Sequence, residues 1–193
     1  MRSQNLALEG QTSDELLEAV THDPKVRETL AGADIILIGI GGADLNAGDD
    51  ALGAGSCKGR QCYAPVLRRF TTNISAIASE VRHLAPHALL RAMTLPNGFP
   101  GAGAAFPPFA TESLSRYQAE SQRRSVCRAM HANAGRCIDV IAAFNGAHDD
   151  RNAYASGLMT KNPCCYPSAK GQQLIARLMI ATGLAKLPQA QSS

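Results

Sequence analysis

The run Ala33-Asp34-Ile35-Ile36-Leu37-Ile38-Gly39 decides the fold of this chain. Four consecutive large aliphatic residues ahead of a glycine are typical of a β-strand that is buried on both faces. Such strands belong to parallel sheets whose two faces are covered by helices. No apolar run in the sequence approaches the roughly 20 residues that a membrane-spanning helix needs.

Helical patterns lie on both sides of this strand. Thr12 and Glu15 form a capping box, so a first helix begins there, and Asp23-Pro24 ends it and begins a second one. Apolar residues recur at helical spacing from Phe70 to Leu84. Two further helices are predicted over 110–132 and 169–181, the second with an apolar side formed by Leu174, Ile175, Leu178 and Met179.

Two more strands are predicted over 88–95 and 138–143, and the polar or glycine- and proline-rich segments 41–60 and 96–108 read as loops. Strands that alternate with helices predict a parallel sheet with helices on its faces, which is an α/β fold.

Composition indicates an ordinary soluble domain. The 193 residues are 45% hydrophobic and 18% charged, which fits a single globular unit with a sizeable core. The formal net charge is +3, and the basic residues are scattered, with only the doublets Arg68-Arg69 and Arg123-Arg124. A nucleic-acid partner is therefore not expected, because it would normally require a clustered basic face.

Six cysteines indicate an oxidising compartment. Cys57 and Cys62 bracket a short polar loop, and Cys127 and Cys137 bracket a connection from a helix to a strand, so each pair is a disulfide candidate. Zinc ligation and buried free thiols remain alternatives. The N-terminus has no apolar segment of a signal peptide, and an incomplete N-terminus would reconcile this with export.

Functional sites of parallel sheets lie at the carboxyl ends of the strands, and three loops are placed there. The first, Gly39 to Asp44, is not a dinucleotide-binding fingerprint, because Asp44 stands where the third glycine belongs. It does not begin a calcium loop either, because Gly55 occupies the twelfth position. The other two loops are Ala143 to Gly146, which contains Asn145, and Tyr166 to Ser168.

Together these segments resemble the SGNH (GDSL-type) esterase/lipase family, in particular its secreted actinobacterial subgroup. The resemblance runs from about Asn5 to Leu184 and rests on the order and spacing of its blocks. The matching segments are Asn5–Leu16 for the second block, Ala33–Leu45 for the third, Ala143–Gly146 and Gly157-Leu158 ahead of the fifth, and Tyr166–Ala176 for the second half of the fifth.

The resemblance implies a three-layer α/β/α, flavodoxin-like fold and carboxylic-ester hydrolysis by a serine, a histidine and backbone or asparagine donors for the oxyanion. Gly10 matches the glycine that supplies one of these donors, and Asp44 is retained. Ala43 stands at the asparagine position and Tyr166 at the histidine position. The aspartate that orients the histidine corresponds to Pro163 or Asn162, and the Gly-Asp-Ser nucleophile block is absent from this chain.

Few residues could replace the lost groups. His148, beside Asp149 and Asp150 on the predicted rim, is a possible substitute base. Cys164 or Cys165 as a nucleophile would need a base that the sequence does not identify. Ser168 is expected to cap the last helix. His83, His87 and His131 fall in or beside helical segments and are expected on the surface.

These observations predict one SGNH-like domain over residues 1–187 without its first strand, followed by a tail, 188–193. Two functions remain open. The chain is either an ester hydrolase of this family that lacks its usual catalytic residues, or a non-catalytic relative that binds an ester, acyl or glycan ligand or a partner protein in the same cleft. No cofactor, metal or membrane span is expected, and the predicted location is extracellular.

Overall fold

A computed structural model describes residues 3–100, 111–161 and 164–183. The helices are α1 (Ser13–His22), α2 (Pro24–Ala31), α3 (Asn46–Gly53), α4 (Arg60–Leu84), α5 (Glu112–Ala132), α6 (Val140–Asn145) and α7 (Ala169–Ala181), with a 3-10 turn at Ala43–Leu45. The strands are β1 (Ile35–Ile38), β2 (Leu89–Met93), β3 (Arg136–Ile138), β4 (Met159–Lys161) and β5 (Cys164–Pro167). The expected tail, 188–193, lies outside the described residues.

The helix starts follow from local capping, as predicted. Thr12 accepts a hydrogen bond from the Glu15 N–H, and the Glu15 carboxylate accepts one from the Thr12 N–H, which completes the capping box of α1. Asp23 caps α2, whose first residue is Pro24. Ser168 caps α7 by accepting from the Gly171 N–H at 3.1 Å. Each interaction satisfies an N–H that has no partner within its helix.

The predicted parallel sheet is confirmed. Its order is β1-β2-β3, with Ile36 of β1 opposite Leu90 and Ala92 of β2 opposite Cys137. Within the described part of the chain, β1 pairs on one side only and is therefore an edge strand. All three strands run in the same direction, so the loops that follow them meet at one edge of the sheet.

Helices cover the two faces of the sheet unequally. Residues on one face of β1 and β2 form a large core with α4 and α5; the strand residues in it are Ile36, Ile38, Leu90 and Ala92. On the opposite face, Met93 packs against a second cluster that includes Ile138, Phe144 and, from α7, Ile175. The molecule therefore has the helix–sheet–helix layers of the predicted α/β fold, and α7 covers the β2–β3 side.

The expectation that β1 is buried on both faces is wrong. Leu37 is 55% exposed, whereas its neighbours Ile36 and Ile38 are buried. The reason is position: β1 lies at the edge of the described sheet, and α7 contacts the face of the sheet beside β2 and β3. A continuous apolar run is therefore buried on both faces only where helices cover both faces of the sheet at that strand.

Three local predictions also need correction. The segment 41–60 is not simply a loop, because it contains the 3-10 turn and α3. The predicted strand 138–143 ends at Ile138, because Asp139 accepts a hydrogen bond from the Ala142 N–H and begins α6. The antiparallel hairpin of β4 and β5 was not predicted. Of the loop expected at 96–108, residues 101–108 lie outside the described residues.

Candidate functional site at the carboxyl edge of the sheet

The carboxyl edge of the sheet brings together the segments that follow β1, β2 and β3. Thr94, just after β2, donates its backbone N–H to the Ile138 carbonyl of β3 at 3.0 Å, and its hydroxyl accepts from the Ile141 N–H at 3.1 Å. Thr94 is buried, so these bonds fix the start of one loop against the start of the next.

Asp44, expected near the site, is bound to the first turn of α1. Its carboxylate accepts the Ser13 N–H, with nitrogen–oxygen distances of 3.0 and 3.2 Å, and also the Ser13 hydroxyl. Asn73 of α4 donates to the same Ser13 hydroxyl at 3.0 Å. A carboxylate at a helix N-terminus meets unpaired N–H groups and the positive end of the helix dipole. Asp44 therefore has a complete set of partners within the fold.

The loop after β1 is held in place by Gly41. Its φ of +121° lies in a region that side-chain-bearing residues rarely adopt, and a β-carbon there would come within 2.9 Å of both Gln122 and Phe70. The buried Gln122 amide donates to the Gly41 carbonyl at 2.6 Å. This bond connects the carboxyl end of β1 to the middle of α5. Sequence analysis missed Gln122, and only its polarity in an otherwise apolar helix side could have indicated it.

A second polar cluster lies between the segments after β2 and after α6. Asn97 donates its backbone N–H to the Asn145 side chain at 3.0 Å and its side-chain amide to Asp149 at 2.8 Å. Asn145 returns a bond from its amide to the Asn97 carbonyl at 2.9 Å. Ser115, in the first turn of α5, also donates to Asn97, at 2.5 Å. We call Asn97, Ser115, Asn145 and Asp149 the rim cluster.

Burial changes the ionisation of Asp149. The residue is completely buried, and this desolvation raises the pKa of its carboxyl group to about 6. The hydrogen bond from Asn97 acts in the opposite direction and offsets part of the rise. One oxygen, Oδ1, has no hydrogen-bond partner among the described residues. Asn145 was expected near the site. The contribution of Asn97 and the burial of Asp149 were not expected, because each depends on how segments distant in the sequence pack together.

The family-equivalent positions do not assemble a catalytic group among the described residues. Gly10 lies in an exposed turn with φ +74°, three residues before Ser13, so it belongs to the segment that Asp44 anchors. Ala43 is half-buried and carries no donor, and Tyr166 is 53% exposed on β5. His148 is exposed at the rim, next to the buried Asp149.

No hydrogen bond between a histidine and a serine is found within the described ranges 3–100, 111–161 and 164–183. Two serines near this edge have other partners: the buried Ser13 is bonded to Asp44, and Ser168 caps α7 as predicted. His83, His87 and His131 are exposed, as predicted. Asn162 and Pro163 lie outside the described residues, as do the side chains of Cys164 and Cys165.

An open groove of about 660 Å³ runs beside the first turns of α5. Its charges are mostly paired along the helix, for example Arg116 with Glu112 at 2.7 Å, and the Arg60 guanidinium lies 4.9 Å from the Tyr117 ring centre. The lining residues are Arg60, Glu112, Ser113, Arg116, Tyr117, Glu120 and Arg124, and none of them is a nucleophile paired with a base.

The four candidate cysteines form two disulfides. Cys57 is joined to Cys62, with Cα atoms 5.4 Å apart, and Cys127 to Cys137, with Cα atoms 4.8 Å apart. No group of metal-ligating side chains occurs in the part of the chain that the structure describes. No helix within that part is long and apolar enough to cross a membrane.

Comparison with known proteins supports the interpretation at the level of the fold. No family model matches the chain, and no curated protein matches it. Among solved structures, the lipase Lip_vut3 from a goat rumen metagenome has a TM-score of 0.71 at 19% identity, covering 91% of this chain and 76% of its own. A protein from Parabacteroides merdae described as a GDSL-like lipase has a TM-score of 0.59 at 16% identity, covering 89% of this chain and 68% of its own. The chain therefore has the fold of GDSL-type lipases, as the resemblance in its sequence implied.

Proposed function

We propose that this chain belongs to the SGNH/GDSL family and is a non-catalytic member of it, which binds an acyl or carboxylic-ester ligand at the carboxyl edge of its sheet. One observation carries the proposal: the polar side chains at that edge are used to hold the fold together. The carboxylate of Asp44 accepts a hydrogen bond from Ser13, and that of Asp149 accepts one from Asn97. Serine-hydrolase chemistry requires instead a hydroxyl whose partner is a base.

The residues at the family's functional positions support the same interpretation. Ala43 has no side-chain donor, and loss of a single oxyanion donor typically costs a factor of about 10² to 10³ in rate. Tyr166 offers a phenol, which is a poor base at neutral pH. Either replacement alone would slow ester hydrolysis. Together they remove the side-chain donor to the oxyanion and the general base.

The fold supports the proposed ligand class. Both solved neighbours are described as lipases, which act on esters of fatty acids, and a cleft shared with them would suit an acyl chain. The proposed location is extracellular, because two disulfides within one small domain are typical of proteins from oxidising compartments.

A second candidate function is ester hydrolysis with a substitute base. It rests on His148, an exposed imidazole at the rim, next to the buried carboxyl group of Asp149. Histidine is the side chain best suited to proton transfer near neutral pH.

Two measurements on the disulfide-intact protein separate these functions. Octanoate is titrated while the melting temperature and the amide chemical shifts are followed, and a fluorophosphonate probe is tested for covalent labelling. Ligand binding to the folded state raises its stability by mass action. The proposal expects a rise in melting temperature, shifts centred on 39–46 and 94–100, and no labelling. Absence of any effect of octanoate would contradict the proposal. If the amide chemical shifts change with cellobiose and not with octanoate, the ligand is a glycan and the proposed acyl class is wrong.

Hydrolysis of p-nitrophenyl butyrate provides the test of the second candidate. If saturable turnover and labelling occur, His148→Ala should abolish the turnover, whereas His131→Ala should leave it unchanged. The pair is matched, because both side chains are exposed histidines and His131 lies in the last turn of α5. Turnover that survives both substitutions would exclude His148 as the base.

A further inference from the structure

Asp149 occupies an unusual position for a carboxylate. It is 0% exposed, and its backbone has φ +52°, in the left-handed region that aspartate and asparagine tolerate better than most residues. Its Oδ2 accepts from Asn97 at 2.8 Å, while its Oδ1 has no partner in the part of the chain that the structure describes. A buried charge with half of its acceptors unused is costly, because water would otherwise solvate it.

The rim cluster around Asp149 connects three segments of the chain. Asn97 follows β2, Ser115 lies in the first turn of α5, and Asn145 ends α6. The segment 146–151 is attached to this cluster through Asp149 and through the Asn145 carbonyl, which accepts the N–H groups of Asp150 and Arg151 at 3.0 and 2.8 Å. Loss of the Asp149 contact would therefore free one side of this segment.

The charges that face Asp149 do not neutralise it. From α5, Arg116 attracts the carboxylate and Glu120 repels it, and Asp150 in the same segment repels it as well. The segment after β2 contributes the neutral amide of Asn97, and the neighbouring His148 is exposed. With burial as the largest contribution, the pKa of Asp149 rises to about 6.

We propose that the segment 146–151 is a pH-dependent latch on the carboxyl edge of the sheet, closed in acid and opening more often as the pH rises from 5 to 7.5. The cause is a difference in proton affinity. The closed state holds the proton of Asp149 more tightly than the open state, in which water surrounds the carboxyl group. Deprotonation therefore favours opening.

The size of the effect follows from linkage. If the carboxyl group has its ordinary pKa near ~3.9 when the latch is open and about 6 when it is closed, the opening equilibrium rises about tenfold between pH 5 and pH 7.5. Below the ordinary pKa both states are protonated, and opening no longer depends on pH.

Hydrogen exchange of the amides of 146–151, corrected for the intrinsic effect of pH, tests the latch. The wild type should lose about tenfold in protection between pH 5 and 7.5, in line with the linkage above. Asp149→Asn should show equal protection at both pH values. Asp150→Asn, an exposed neighbour, should keep most of the pH dependence, because the repulsion by Asp150 is the smallest contribution to the raised pKa of Asp149. Equal protection at both pH values in the wild type would overturn the proposal, as would pH-dependent protection in Asp149→Asn.

A direct titration of Asp149 in the wild type provides a second test, which does not require any variant to fold. The carboxyl carbon of Asp149 in the wild type is followed by NMR from pH 3 to 9. A midpoint near 6 is expected, and a midpoint near that of ordinary aspartates would overturn the latch.

Discussion

The Asp44 carboxylate accepts both the N–H and the hydroxyl of Ser13, which lies 31 residues earlier in the chain. The bond joins the first turn of α1 to the loop after β1, the two segments that resemble the second and third blocks of SGNH hydrolases. Asn73 of α4 extends the connection by donating to Ser13 and to Asp14. The two segments that resemble these blocks are thus held together here by a structural interaction.

Replacing Asp44 by asparagine should lower the free energy of unfolding by about 1–2 kcal/mol, because the first turn of α1 loses a negative charge and the acceptor of two hydrogen bonds weakens. Urea denaturation followed by circular dichroism measures the change.

The control for this substitution is Asp50→Asn on α3, whose side chain is exposed. It should change stability by less than about 0.5 kcal/mol. Equal effects of the two substitutions would show that Asp44 contributes no more than an ordinary surface charge.

Gly41→Ala should be more destabilising, by about 2–4 kcal/mol. Two costs add: a β-carbon at φ +121° is strained, and it would stand 2.9 Å from both Gln122 and Phe70, which belong to α5 and α4. The melting temperature and the urea midpoint provide the measurement.

Gly55→Ala separates the two costs. Gly55 also has a positive φ, +70°, but a β-carbon there has no atom within 4 Å. Its alanine variant should lose only the conformational part, about 1–2 kcal/mol. If both variants lose the same amount, the close approach of Gln122 and Phe70 to Gly41 carries no cost.

Local signals in the sequence were sufficient for the helices and insufficient for the site. Thr12, Asp23 and Ser168 act within a few residues of themselves, so their caps could be predicted from spacing alone. By contrast, Asp149 meets Asn97 across 52 positions, and that pairing depends on the register of β2 and β3. The strand predicted through Ala143 was wrong for a different, local reason, because the side chain of Asp139 caps a helix and outweighs the apolar run that follows it.

Within the described residues β1 pairs with another strand on one side only, and this open edge should make the protein prone to self-association. An exposed apolar edge strand offers unpaired backbone groups to other chains, and Leu37 is 55% exposed. Leu37→Thr should reduce aggregation, measured by light scattering during storage and heating, while unfolding free energy changes by less than about 1 kcal/mol, because threonine keeps a high strand preference.

Ile36→Thr is the matched control. It makes a similar chemical change one residue earlier, but Ile36 is only 6% exposed and belongs to the core shared with α4 and α5. This variant should lose about 2–3 kcal/mol of stability. Unchanged aggregation in Leu37→Thr would mean that this edge does not serve as the site of association.

Restoring the family's residues should not restore catalysis. The double variant Ala43→Asn, Tyr166→His would supply an amide donor and an imidazole at the family-equivalent positions. An acyl-enzyme needs a hydroxyl that a base activates, and within the described residues the buried Ser13 is already bonded to Asp44. We expect neither fluorophosphonate labelling nor saturable hydrolysis of p-nitrophenyl butyrate.

Folding of the double variant can be checked separately, by circular dichroism and by its melting temperature. Tyr166 is 53% exposed and its backbone carbonyl accepts from Thr160, so the histidine should be accommodated without loss of the β4–β5 pairing. Labelling of a folded double variant at a serine would mean that the chain still places a nucleophile within reach of position 166. Such labelling would contradict the non-catalytic function proposed for this chain.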